Sequence, residues 1–312
     1  MSHDRMRILV TGGSGQIGGA LVRRFGDLGT VVAPNRSELD LTRPTAIVEQ
    51  LERIAPDLII NCAAYTNVDQ AEDERELAFL VNAEGPGAMA QWAAAKRVPL
   101  VHLSTDYVFD GSGQRPWREE DPTGPLSAYG ASKLAGEKSV QAACGPHLIV
   151  RTSWIYAAQG RNFLRTIASL AAHRSELRVV ADQVGAPTST AVVANGLVQI
   201  LRAPVDELPA LFAQAHEILH LAAAGTTTWH GFATAIVQGL NARGAHLQVE
   251  RVVPICTEEY PYKAMRPRNS RLDLQRLLEV FGINPLHWAA ALESELNQFI
   301  GRQSPTAGHP ND

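Results

Sequence analysis

Short apolar runs alternate with longer amphipathic stretches through the first half of the chain. Residues 7–11 form a compact apolar run that reads as a buried strand. Residues 16–28 follow with Ile17, Leu21, Val22 and Phe25 at helical spacing, which predicts a helix with one apolar stripe. Residues 30–33 read as a second strand. Residues 44–54 read as a helix, with Thr42 as its N-cap and Pro44 in its first turn. The continuous apolar run 57–63 predicts a third strand, 82–96 a long helix, 98–103 a strand, 129–143 a helix and 147–152 a strand. Near-continuous apolar strands separated by helices imply a parallel sheet covered on both faces. The expected fold class is therefore α/β, a doubly wound parallel sheet of the Rossmann type over residues 1–153. Its crossovers should be right-handed, and its ligand should sit at the carboxyl ends of the strands.

The pattern loosens after Trp154, where breaks fall at Pro187, Pro204, Pro254, Pro261 and Pro267. Residues 154–312 read mainly as a second, smaller α/β substrate domain. Elements near 178–185 and 217–241 are expected to return to the first domain. The tail, 302–312, is rich in Ser, Pro, Gly and Asn and reads as disordered.

Composition narrows the classes without choosing among them. The 312 residues suit two domains, and 45% apolar with 19% charged residues supports a soluble globular protein with a full core. A formal net charge of -4 provides no global basic field, so no nucleic-acid partner is expected. No apolar run approaches the roughly 20 residues of a membrane span, and residues 1–6 lack a signal-peptide pattern. Cys62, Cys144 and Cys256 are scattered and form no Cys-x-x-Cys pair. A cytoplasmic protein without a membrane partner is expected.

Two motifs carry chemistry. Thr11-Gly12-Gly13-Ser14-Gly15-Gln16-Ile17-Gly18 lies between the first strand and the first helix. Free N–H groups and the positive dipole end at a helix N-terminus suit a pyrophosphate, and glycines let it approach the backbone. Gly12, Gly15, Gln16, Ile17 and Gly18 are thus candidate cofactor-binding residues. Ala63, Ala64 and Tyr65, after the third strand, complete that set. The second strand ends near Pro34-Asn35-Arg36 without an acid for a ribose 2′-OH. Arg36 can instead pair with a 2′-phosphate, and Asp40 is read as an adenine contact. NADPH is the expected cofactor, with NADH use left open. The second motif is Tyr129-Gly-Ala-Ser-Lys133. Its phenol and ammonium, four residues apart, share one helix face. A nearby cation favours the phenolate and lowers a tyrosine's pKa from about 10. A phenol tuned this way can protonate a developing alkoxide. Taken alone, Tyr-x-x-x-Lys is more often a solvated helix face; the glycine loop and the Ser104-Thr105-Asp106 run change that balance.

The glycine loop together with Tyr129 and Lys133 resembles the extended short-chain dehydrogenase/reductases, and within them the branch that reduces dTDP-4-keto-6-deoxy sugars. The resemblance covers roughly residues 6–300. It rests on 61–69 (Asn-Cys-Ala-Ala-Tyr-Thr-Asn-Val-Asp), 104–111 (Ser-Thr-Asp-Tyr-Val-Phe-Asp-Gly), 129–137, 151–156 (Arg-Thr-Ser-Trp-Ile-Tyr), Asn162-Phe163, 182–188 and 266–272. The family reaction it implies is hydride transfer to C4 of dTDP-6-deoxy-L-lyxo-4-hexulose, the last step to dTDP-L-rhamnose for cell-wall polysaccharide. By position, Tyr129 would be the proton donor, Lys133 would tune it and hold the nicotinamide ribose, and Thr105 would hydrogen-bond the same sugar oxygen. Asp106, Trp154, Asn162 and Arg266 would bind substrate. Plainer readings exist: Thr105 as a strand-end cap, Asp106 as an Asx turn, Trp154 as core, Asn162 and Arg266 as structural. Some family members dimerise through magnesium held by glutamates; Ala20 and Ala191 occupy the matching positions, so no metal is expected, and a monomer or weak homodimer is. A dehydratase would carry Asp-Glu after the threonine, whereas Tyr107 follows Asp106. The alternatives are another nucleotide-sugar reductase or epimerase, or a non-catalytic NADP-binding subunit like the regulatory subunit of methionine adenosyltransferase. The intact Tyr129 and Lys133 give no reason to prefer the last.

Cofactor choice is testable at Arg36. Arg36→Ala is expected to weaken NADPH and spare NADH. One charge-assisted hydrogen bond contributes about 1.5–3 kcal/mol, roughly 10- to 150-fold in binding. Fluorescence titration with both cofactors decides it, and equal losses would place Arg36 away from the phosphate.

Overall fold

The computed structural model of the chain describes residues 5–303. Its first half is a run of βα units. They are β1 (Arg7–Thr11), α1 (Gln16–Val22), β2 (Thr30–Val32), α2 (Pro44–Ile54), β3 (Leu58–Asn61), α3 (Arg75–Phe79), α4 (Gly85–Lys96), β4 (Leu100–Thr105), α5 (Ala128–Ala142) and β5 (His147–Thr152). The first helix is shorter than its apolar stripe suggests, because the chain after Val22 tightens into a 3₁₀ turn at Phe25–Asp27. Thr42 does not cap α2. Its N–H is instead bound by Asp40 Oδ1 at 3.0 Å, and Arg43 stands at the cap position without a side-chain bond. The long helix expected from residue 82 opens with a π turn, Leu80–Glu84. Pro86 has no N–H for the carbonyl of Asn82, so a regular α ladder cannot run through this point.

The second half contains β6 (Ile155–Tyr156), α6 (Phe163–Ala171), β7 (Glu176–Val180), β8 (Val184–Gly185), β9 (Thr188–Ser189), α7 (Thr190–Ile200), α8 (Leu208–Gln214) and β10 (Ile218–His220). It continues with β11 (Thr227–Thr228), α9 (Trp229–Asn241), β12 (Arg251–Ile255), α10 (Gln275–Phe281) and α11 (Trp288–Gln303). Six strands form one parallel sheet in the order β10-β5-β4-β3-β1-β2. Of the late stretches, β10 pairs with β5 and so joins this sheet. β7 pairs instead with β12, and α9 packs in a separate core. Arg302 and Gln303 are the last residues of α11, and 304–312 lie outside the described residues.

Two apolar layers sandwich the sheet. Ile8, Val10, Leu58, Ile60 and Val101 face α1, α7 and α8. Leu9, Ile59, Leu100 and Ile149 face α2 and α4. This is why the strands read as continuous apolar runs: alternate residues are buried on opposite faces. A further core joins α6, β7, α9 and α11 through Leu164, Ile167, Leu177, Phe232, Ile236 and Leu296. No described helix is long and apolar enough to cross a membrane.

One ion pair lies inside the sheet layer. Arg151 on β5 holds both carboxylate oxygens of Glu137 on α5, at 2.9 and 2.7 Å. The two side chains are 3% and 2% exposed. Ser104 Oγ donates to the same carboxylate at 2.5 Å, and the guanidinium lies over the Phe109 ring. Removing one partner leaves a buried charge alone, which typically costs about 3–5 kcal/mol. Arg151→Met is therefore expected to lower the urea unfolding free energy by about that amount. Arg151→Met combined with Glu137→Met should recover much of the loss. A single variant as stable as the parent would show that the carboxylate finds other solvation.

Candidate active site

The glycine loop is shaped by close approach. Gly12 has φ +65°, and a Cβ there would lie 2.9 Å from Ala63 Cα. A Cβ on Gly18 would lie 2.2 Å from the Gly12 carbonyl, so only glycine lets α1 pack on the loop. Gly15 donates its N–H to Gly12 O at 2.8 Å, closing the turn. No side chain caps the start of α1, which leaves the backbone of Gln16 and Ile17 facing the loop mouth. Such a cradle, filled by any added Cβ, fits a dinucleotide pyrophosphate.

The other expected cofactor residues are placed less freely. Ala63 donates its N–H to Thr11 Oγ1 at 3.1 Å, and Tyr65 donates its N–H to Asn82 Oδ1 at 2.8 Å. Both therefore border the site by backbone surface rather than by free donors, with Ala64 between them. The Tyr65 hydroxyl donates to Glu74 at 2.8 Å, and burial with that carboxylate pushes the phenol up to about 12. Asp40 is tied into a turn by the Thr42 N–H, which holds its carboxyl below the ordinary value, with Arg36 and Arg43 nearby. Arg36 itself is exposed just past β2.

The three expected catalytic residues converge at the end of β4. Thr105 is the last residue of that strand and is buried. Its Oγ1 accepts the Tyr107 N–H at 3.2 Å and lies 3.1 Å from Asp106 Oδ1, to which its hydroxyl donates. Ser127 caps α5 by accepting the Gly130 N–H, which fixes where Tyr129 and Lys133 emerge. Thr105 is close enough to the Tyr129 phenol to bear on its ionisation. Lys133 is 2% exposed, and its Nζ donates to Leu103 O at 2.6 Å.

One expectation is corrected here. The sequence spacing predicts a tyrosine whose pKa is lowered by the lysine. Burial instead pushes Tyr129 up to about 12, with the Thr105 hydrogen bond opposing and Asp106 adding. The lysine amine is directed at a strand carbonyl, and burial lowers it to about 8 against the pull of Glu137 and Cys62. Helix spacing puts the pair on one face but does not determine what each tip touches.

The expected substrate residues fall into two groups. Asp106 and Arg266 belong together around Tyr107. Asp106 Oδ2 and Arg266 Nη1 are buried without partners. Burial raises Asp106 to about 7 against the opposing influence of the Ser270 and Thr105 hydroxyls. Arg266 Nη2 is 2.7 Å from Asp69, and the guanidinium lies over Tyr262. Tyr107, not singled out from the sequence, packs edge-on against Tyr129 at 5.6 Å, and Arg266 and Tyr262 bear on its hydroxyl. Its position beside Asp106 was the available signal. Trp154 and Asn162 have structural partners. Trp154 takes φ +48° and stacks on Trp229 at 3.7 Å, so one indole face is already covered. Asn162 caps α6 and donates to Gln16 Oε1 at 3.1 Å, joining α6 to the glycine loop. Among the described residues, no three His, Cys, Asp or Glu side chains gather as a metal site.

The glycine loop and the sheet order define a Rossmann-type dinucleotide-binding fold. The comparisons with known proteins narrow this. Residues 6–300 match the profile described as the RmlD substrate binding domain. A dTDP-4-dehydrorhamnose reductase of Burkholderia thailandensis is 47% identical over 291 residues, covering 92% of this chain and 97% of that one. The crystal structure of a dTDP-4-dehydrorhamnose reductase from Clostridium acetobutylicum superposes with TM-score 0.85 at 35% identity, covering 95% and 100%. That of the Bacillus anthracis reductase in complex with NADP gives TM-score 0.83 at 33% identity, covering 94% and 99%. The chain belongs to the RmlD substrate binding domain family.

Asp106 gives this site a signature in stability. Its folded pKa, about 7, lies above the unfolded value of about 3.9. The folded state then binds more protons than the unfolded state between those values, so stability falls as pH rises through that window. Asp106→Asn is expected to remove this contribution, so its Tm relative to the parent should rise from pH 4 to pH 8. A difference in Tm that is flat with pH would show that Asp106 ionises freely.

Proposed function

We propose that this chain is an NADPH-dependent reductase that converts dTDP-4-dehydro-L-rhamnose to dTDP-L-rhamnose. The observation that carries the reading is the Thr105–Tyr129–Lys133 cluster at the carboxyl end of β4, two strands from a glycine cradle on β1. The relatives of near-equal length named dTDP-4-dehydrorhamnose reductase, and the NADP complex of the Bacillus anthracis protein of that name, support it.

NADPH supplies the hydride when bound. The residues of this chain do the rest. As charge grows on the C4 oxygen, the Tyr129 phenol and the Thr105 hydroxyl, once turned from Asp106 Oδ1, are the donors that stabilise it. Tyr129 then gives up its proton to form the product alcohol. A phenol held near 12 stays protonated across the neutral range, so it is ready as an acid. It remains a stronger acid than an aliphatic alcohol, so transfer to the alkoxide runs downhill. Reduction at neutral pH is therefore served by the raised pKa, whereas the reverse oxidation would need a phenolate. Lys133, which burial lowers to about 8, would hold the nicotinamide ribose. Asp106 and Arg266 Nη1, each with an unpartnered buried atom, are the groups available to the sugar and its diphosphate.

The test is loss of NADPH absorbance with the dTDP-4-keto sugar. Tyr129→Phe should retain fold and cofactor binding and lose about 10²–10⁴-fold in kcat. Near-wild-type turnover in that variant would exclude Tyr129 as the acid, and no NADPH oxidation by the wild type would exclude the function.

A further inference from the structure

A buried polar chain reaches Lys133 across three neighbouring strands of the sheet. Thr11 on β1, Asn61 on β3, His102 on β4 and Lys133 on α5 are each at most 2% exposed. Thr11 Oγ1 lies 2.6 Å from Asn61 Oδ1. Asn61 Nδ2 lies 3.0 Å from His102 Nδ1, and His102 Nε2 lies 3.4 Å from Lys133 Nζ. Thr11 Oγ1 also accepts the N–H of Ala63, which packs against Gly12 of the cofactor loop. The chain therefore begins at the cofactor cradle and ends at the lysine that the proposed mechanism uses.

Two proton arrangements satisfy this chain, and the distances choose between them. In one, the Thr11 hydroxyl donates to Asn61, the Asn61 amide donates to His102 Nδ1, and the ring carries its proton on Nε2, facing the lysine. In the other, the Asn61 amide is turned over, the ring proton is on Nδ1, and Nε2 accepts from an ammonium. A separation of 2.6 Å between Thr11 and Asn61 suits O–H···O and is short for N–H···O. The Thr11 hydroxyl has one proton, and the Ala63 N–H already takes one of its lone pairs. The first arrangement is thus the one the geometry holds. A ring buried beside a lysine has no reason to charge, and burial with Lys133 and His147 keeps it neutral.

We propose that His102 is a positioning residue: its neutral ring, bound by Asn61 on one nitrogen and turned to Lys133 on the other, ties the placement and protonation of the lysine amine to the backbone of the cofactor loop. The proposal rests on the reductase reading above. The other groups around the amine leave this part to the ring. Glu137, one turn along α5, is held by Arg151 and Ser104. Cys62, past the end of β3, is a thiol that burial pushes up to about 12. Tyr129 lies one turn earlier on α5, where Thr105 bears on its phenol, and His147 on β5 bears on the imidazole.

The test has a part that needs no turnover. ¹⁵N NMR of the cofactor-free protein should show His102 neutral and protonated on Nε2 at pH 7. A carboxylate in place of the amide can only accept, so Asn61→Asp should move the ring proton to Nδ1. An imidazolium, an Nδ1–H ring in the wild type, or a ring unchanged in Asn61→Asp would each overturn the proposal. With substrate, His102→Phe should lower kcat roughly 10- to 100-fold by displacing the amine, with KM for the sugar little changed. It also removes the N–H that disfavours an ammonium, so the alkaline limb of the kcat–pH profile should move up by about half a unit. A limb that stays in place or moves down overturns the proposal. His102→Gln, which can still point an N–H at the amine, should recover most of kcat, and it serves if the phenylalanine variant does not fold. No recovery in a folded His102→Gln also counts against the proposal. A wild type that leaves NADPH unconsumed defeats the reductase reading alone, because the tautomer and its reversal in Asn61→Asp are read without it.

Discussion

The site depends on how closely α5 lies against the segments around β4. A Cβ on Gly130 would sit 2.3 Å from Tyr107 O, and one on Gly136 would sit 2.0 Å from Asn82 O. Two side chains have been given up so that one helix backbone can touch the strand end and the π turn together. Everything that follows is set by that contact. Tyr129 is pressed against Tyr107, Ser132 receives Asn82, and Lys133 reaches a carbonyl of the strand itself. The Arg151–Glu137 pair fastens the same helix at its next turn. Close approach also strips water from all of these groups, and this desolvation leads the shifts at Tyr129, Lys133 and Asp106.

The sheet was legible because burial on both faces leaves a strong trace: the stretches 58–60 and 148–150 are wholly apolar. The glycine loop was legible for a similar reason, since Gly12 and Gly18 answer contacts that only one residue type allows. Thr105, Tyr129 and Lys133 could be found because they lie on adjoining elements of one domain. What the sequence hid were partners far apart in number. Asp69 with Arg266 and Gln16 with Asn162 are pairings made by tertiary structure, and no local period announces them. Helix boundaries were blurred for another reason: the π turn at Leu80–Glu84 arises from one missing proline N–H inside an otherwise helical pattern.

The direction of a pKa was also hidden. Spacing supplied the identity of a neighbour, but the Lys133 tip settles on Leu103 O, and it is Thr105 that bears on the Tyr129 phenol. Charge proximity read from helix geometry is a statement about Cβ atoms, and titration depends on the atoms at the end of the side chain. For a reductase the outcome is the useful one, since the acid must arrive carrying its proton.

The segment after β12 is tied back to the stretch that follows β3. Residues 263–266 are fastened to 69–73 by two ion pairs of unlike character. Lys263 and Asp73 are half-exposed, whereas Arg266 in its pair with Asp69 is largely shielded and backed by the Tyr262 ring. Dissolved ions screen the outer pair and reach the inner one poorly. The strap thus has a loose end and a fixed end: rising ionic strength weakens the Lys263–Asp73 pair more than the Arg266–Asp69 pair.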